Sequence, residues 1–124
     1  MELIHKDLTK KIIGACFLVY NTLGYGYQEK EYQKALAAEL SKLGLRFEKE
    51  LHSVLLYEGV KIRGYFVDFV VEGKVVLELK VANQVYQKHF LQTAQYLKNN
   101  SLQLGLIVVY SPTGVIIKRV VNLK

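Results

Sequence analysis

Apolar residues recur at spacings of three and four from Thr9 to Leu23, where Ile12, Ile13, Cys16, Phe17, Val19, Tyr20 and Leu23 form a stripe that Gly24 stops. This pattern predicts an amphipathic helix. After the Gly24-Tyr25-Gly26-Tyr27 break, Tyr32, Leu36, Leu40 and Leu43 share one stripe from Gln28 to Leu43, with Gly44 as a C-terminal cap, which predicts a second helix. From Leu45 to Val71 the period drops to two. Glu58-Gly59 is then a turn between a run ending at Tyr57 and one beginning at Val60, and Glu72-Gly73 separates Tyr65–Val71 from Val75–Lys80. These segments predict three antiparallel strands.

Helical spacing returns from Asn83 to Asn99 through Val85, Phe90, Ala94 and Leu97. Leu104–Tyr110 is a nearly continuous apolar run, as expected of a strand buried on both faces, and Ser111-Pro112-Thr113-Gly114 turns into Val115–Val121. The predicted order is ααβββαββ, an α/β (α+β) chain with a mixed sheet flanked by helices.

With 124 residues, one proline and no repeat or low-complexity tract, residues 1–124 are expected to form one domain large enough to bury a core unaided. The single Cys16 allows neither an internal disulfide nor a cysteine metal cluster. The sequence contains no apolar run long enough for a membrane span, and its N-terminus lacks a signal-peptide pattern, so the expected location is cytoplasmic. The net charge of +6 is uneven: residues 1–78 balance 11 basic against 11 acidic side chains, while Lys80, Lys88, Lys98, Lys118, Arg119 and Lys124 stand in a segment with no acid. Such a segment suits a phosphate backbone, and it equally suits a solvated surface.

The sharpest chemical signal lies in Tyr65–Lys80. A three-residue loop at Glu72–Lys74 pairs Asp68 with Glu78, and strict alternation then puts Val67, Phe69 and Val71 with Val75, Leu77 and Leu79 on a wholly apolar face. The opposite face would carry Phe66, Asp68 and Val70 beside Val76, Glu78 and Lys80. Two adjacent carboxylates on an apolar surface need a cation. A hard divalent ion, Mg²⁺ or Mn²⁺, suits these oxygen donors, with Lys80 positioned to orient a water or offset phosphate charge. A structural ion pair between Lys80 and one carboxylate is the alternative.

Asp68 followed by Glu78-Leu79-Lys80 resembles the D-x(n)-E-x-K core of the PD-(D/E)xK nuclease superfamily. Gly26, Glu29 and Tyr32 fit the G-x-x-E-x-x-Y signature of its GxxExxY family, and Gln92 and Tyr96 resemble the Q-x-x-x-Y motif of recombination and repair nucleases. The resemblance covers almost the whole chain and implies a restriction-endonuclease-like core that hydrolyses DNA phosphodiesters. It implies that Glu29, Asp68 and Glu78 are acids of a metal site, that Lys80 is the catalytic lysine, and that Gln92 organises the site. Lys88, His89, Tyr96 and Lys98 would face nucleic acid. The superfamily's proline is replaced by Val67, and Tyr20 stands where a first-helix histidine is expected. Two other functions fit the same fold: a non-catalytic module working through DNA or a partner protein, and a homodimeric resolvase of branched DNA.

Overall fold

The computed structural model describes residues 4–123, so Lys124 of the acid-free segment lies outside the described residues. The chain runs α1 (Lys6–Leu23), α2 (Glu29–Lys42), β1 (Phe47–Tyr57), β2 (Val60–Val71), β3 (Val75–Val81), α3 (Gln87–Asn99), β4 (Leu104–Ser111) and β5 (Gly114–Val121). The expected order is therefore present. Two helix starts differ from the periodicity. α1 begins three residues before Thr9, with Asp7 in its first turn and the Thr9 hydroxyl donating to the Lys6 carbonyl at 3.0 Å; an acid there suits the positive end of the helix dipole. α3 starts at Gln87 rather than Asn83, because Tyr86 is extended and its N–H donates to His89 Nδ1, closing the first turn from outside.

The five strands form one sheet in the order β1-β2-β3-β4-β5. Neighbours are antiparallel except β3 and β4, which are parallel and joined through α3. All of β4 is buried, as its apolar run requires. On one side of the sheet Ile12, Cys16 and Val19 of α1 and Tyr32, Leu36 and Leu40 of α2 cover Phe69, Val71, Leu77, Leu79 and Leu106. On the other, Tyr96 and Leu97 of α3 cover Val70, Val76, Ile107 and Val109. Gly105 is required under α3: a Cβ there would lie 2.5 Å from Thr93 Cγ2.

The three-residue loop is as expected, with Val71 opposite Val75, Lys74 N–H donating to the Val71 carbonyl at 2.9 Å, and Glu72 and Gly73 at positive φ. Strict alternation along β2 does not hold. Tyr65 and Val67 pack on the α3 side with Val70, while Phe69 and Val71 face α1 and α2, and Phe66 is 59% exposed. The switch falls at Asp68. The β1–β2 ladder passes from Lys49–Phe69 to Leu51–Val67 without a Glu50–Asp68 pair, and Glu50 has φ 54. A non-glycine residue in this region costs on the order of 1–3 kcal/mol and is held there by its surroundings. Beyond the switch, β2 pairs with β1 alone, and this ribbon directs Arg63 and Tyr65 toward α3.

Candidate active site

The β2–β3 ladder ends at Phe69–Leu77, and the next step of the same register is Asp68 beside Glu78. Here a side chain replaces the ladder: Asp68 Oδ2 accepts the Leu79 N–H at 2.6 Å, and Asp68 Oδ1 accepts Gln33 Nε2 of α2 at 2.7 Å. Both oxygens are thus oriented.

Glu78 is 1% exposed, and its Oε2 has no hydrogen-bond partner among the described residues. Burial, then the charge and hydrogen bond of Asp68, push its carboxyl up to about 9. Burial also raises Asp68, against the hydrogen bonds from Glu78 and the Leu79 N–H and the attraction of Lys80. Two carboxylates in contact away from water resist ionising together, and because both Asp68 oxygens already accept N–H groups, the upward push falls mainly on Glu78.

Lys80, two residues on, is half-buried at the end of β3. Among the described residues it makes no ion pair with Asp68 or Glu78, which argues against the structural-pair alternative. It instead lines a cavity of about 480 Å³ together with Glu29, Arg63, Lys88, His89 and Gln92. Glu29 is the first residue of α2, and its Oε2 accepts the Val81 N–H at 3.3 Å.

The Gly-x-x-Glu-x-x-Tyr stretch positions Glu29. Tyr32 is fully buried, stacks on Tyr110 at 4.3 Å, and donates its hydroxyl to the Gly24 carbonyl at 2.6 Å. That bond ties the loop before α2 to the core, Gly26 takes a φ of 119 within it, and the Gln28 N–H donates to Glu31 at the helix start. Tyr20, standing where a histidine is expected, donates to the Ser111 carbonyl at 2.7 Å and stacks on Tyr110, so it supports the same wall.

Three expectations change. Glu29 does not close a compact three-acid cage: among the described residues no three acidic, histidine or cysteine side chains converge as a ligand set. Tyr96 is 6% exposed in the core beneath α3 and cannot be a surface contact for nucleic acid. Lys98 lies in the last turn of α3, ten residues beyond Lys88 and hence about 15 Å away along the axis, off the cavity. The basic segment is likewise dispersed, since Lys118 and Arg119 lie on β5 and Arg119 contacts the Thr9 hydroxyl. His89 does line the cavity, but as a buried neutral imidazole whose Nδ1 accepts the Tyr86 N–H. Burial, then Lys80 and Lys88, lower its pKa.

Two site residues escaped the pattern. Gln33 lies one turn after Glu29 on the same helix face, a spacing that would have revealed it. Arg63 shares its strand face with Tyr65 and Val67, but only the curl of the β1–β2 ribbon brings it to the cavity.

The five-stranded mixed sheet flanked by helices, with an acid at the β2–β3 opening and Glu-x-Lys on β3, defines a restriction-endonuclease-like fold. The chain belongs to the PD-(D/E)XK nuclease superfamily, which it matches over residues 6–120. It is similar in fold to the crystal structure of SSO0001, with 15% identity over 93% of this chain and 78% of that one and a TM-score of 0.51. It is also similar to the crystal structure of an alkaline exonuclease (LHK-Exo) from Laribacter hongkongensis, with 12% identity over 98% of this chain and 72% of the other and a TM-score of 0.53. No curated protein sequence matches it.

Proposed function

We propose that this chain is a divalent-metal-dependent nuclease of the GxxExxY kind that hydrolyses DNA phosphodiester bonds, with residues 1–124 acting as one catalytic domain. The observation that carries this reading is the half-buried Asp68 beside the buried Glu78, whose Oε2 has no hydrogen-bond partner among the described residues, and a lysine two residues on that makes no ion pair among them. A buried carboxylate oxygen without a hydrogen-bond partner among the described residues, beside a second carboxylate already oriented by Gln33 and Leu79, fits a hard cation. Asp68 and Glu78 would hold Mg²⁺ or Mn²⁺, with Glu29 as the outer acid. Such an ion supplies positive charge to the phosphate and lowers the pKa of a bound water.

The chain's own residues do the rest. Lys80 orients the attacking water and offsets charge developing on phosphate oxygens. Gln92, on the cavity wall, positions the phosphate through its amide, and Lys88 attracts the backbone. His89 donates from Nε2 without adding charge, since Nδ1 is already an acceptor.

The test is cleavage of single-stranded, duplex and branched DNA with Mg²⁺ or Mn²⁺, beside Lys80→Ala. Thermal shifts with the same ions on wild type, Asp68→Asn and Glu78→Gln accompany it. Cutting by wild type alone, with a metal-induced shift far smaller in the two carboxylate variants, supports the reading. Binding of DNA without cutting, and equal thermal shifts in all three proteins, would transfer the fold to the role of a non-catalytic binding module.

A further inference from the structure

Beside the cavity at Lys80 lies a smaller one of about 280 Å³, and the two share Arg63 and Gln92. Its remaining walls are Leu55 and Tyr65 of the β1–β2 ribbon and Leu91 and Gln95 of α3. We propose that this smaller cavity is a subsite for one unpaired nucleobase of a DNA strand whose phosphate occupies the cavity at Lys80. The proposal rests on the nuclease reading of that cavity and adds a substrate form, a single strand or a frayed end.

Several features agree with a base as the occupant. Leu91 is 62% exposed although it lies on a core helix, and with Leu55 it offers apolar surface to a ring. Tyr65 is 7% exposed, and its hydroxyl lies against the Ser53 hydroxyl, so it adds wall rather than a free polar group. Ser53 also accepts Asn99 Nδ2 at 3.1 Å. Gln95 Nε2 donates to Asn99 at 2.9 Å. Apolar walls with a few polar groups are the usual composition of a small-ligand site, and about 280 Å³ falls just below the roughly 300–1,000 Å³ of drug-sized sites, a size that suits one base better than a pair. Arg63, which makes no ion pair among the described residues, stands at the junction where the strand's phosphate would pass from one cavity to the other. A base inside a duplex is stacked and paired, and entering such a pocket would first cost a few kcal/mol of unstacking. A single strand avoids most of that cost.

The test measures binding without cutting, by fluorescence anisotropy in EDTA. The probes are a labelled single strand, its duplex, and a strand of equal length and charge built wholly from abasic sugar-phosphate units. Wild type should bind the base-bearing strand about tenfold more tightly than the abasic one, a preference of about 1.4 kcal/mol, and more tightly than the duplex. Leu91→Ser, at an exposed position that should not impair folding, should shrink the preference toward unity and leave abasic binding unchanged. Arg63→Ala should weaken both single strands alike. Equal binding of base-bearing and abasic strands, or a duplex bound as tightly as the single strand, overturns the subsite and leaves the nuclease reading standing. Binding to no strand overturns the subsite and leaves the nuclease reading to the metal-dependent cutting assay, whereas a normal base preference without metal-dependent cutting overturns only the nuclease reading.

Discussion

Replacing Glu78 by glutamine should stabilise the metal-free protein, an unusual outcome for a core substitution. Glu78 is 1% exposed with one oxygen unpartnered among the described residues, and burial plus the Asp68 charge raise its carboxyl from 4.5 to about 9. A group whose folded pKa is raised contributes stability in full below its unfolded value. It loses that contribution as pH climbs through the folded value, here between about 4.5 and about 9. At pH 7 the loss approaches about 3 kcal/mol, taking ~1.4 kcal/mol for each unit of pKa displaced. Glutamine does not titrate, keeps nearly the same volume, and can donate to Asp68. A gain on the order of 2 kcal/mol is therefore expected, or roughly 8 °C in Tm for a chain of this size.

The measurement is urea unfolding of wild type and Glu78→Gln in EDTA at pH 5, 7 and 9. The advantage of the variant should be under about 1 kcal/mol at pH 5 and widen with pH, because at pH 5 the unfolded Glu78 is itself partly protonated. Saturating Mn²⁺ should reverse the order, since binding only the folded wild type adds about 2.7 kcal/mol at a hundred times Kd. A variant less stable than wild type at every pH, or a difference that does not change with pH, would refute the assignment of the raised pKa to Glu78.

Charge reversal at Lys88 should weaken DNA binding and flatten the dependence of log affinity on log salt by about 0.7 for a single strand or about 0.9 for a duplex, whereas reversal at Lys98, at the far end of α3, should change the slope little; anisotropy across a salt series distinguishes them. Tyr32→Phe removes the bond to the Gly24 carbonyl and should cost about 1 kcal/mol of stability. It should also lower any cleavage rate through Glu29 while leaving DNA affinity unchanged, which paired unfolding and kinetic measurements would show.

Periodicity alone determined the eight elements and their order, because each amphipathic face must be buried and its repeat differs between helix and strand. The same sequence determined the register that sets Asp68 beside Glu78, since the spacing of apolar residues around Glu72–Lys74 permits only one loop length that keeps Phe69 and Leu77 together in the core. Lys80 was legible for the same reason, being two residues from Glu78 on one strand. The break at Asp68 was not legible. Alternation assumes an unbroken ladder, and here a carboxylate takes the place of a backbone partner at Leu79 while Glu50 turns into a left-handed conformation opposite. That rotation sends Tyr65 and Val67 to the α3 side and brings Arg63 to the cavity, a contact across three elements that no local spacing encodes. The basic segment read as one surface because charge was counted along the chain. Folding separated it, since a helix carries Lys88 and Lys98 to opposite ends and β5 takes Lys118 and Arg119 elsewhere. Local pattern fixes which side chains must be buried, whereas a site assembled from α2, β2, β3 and α3 exists only once long-range packing has set their distances.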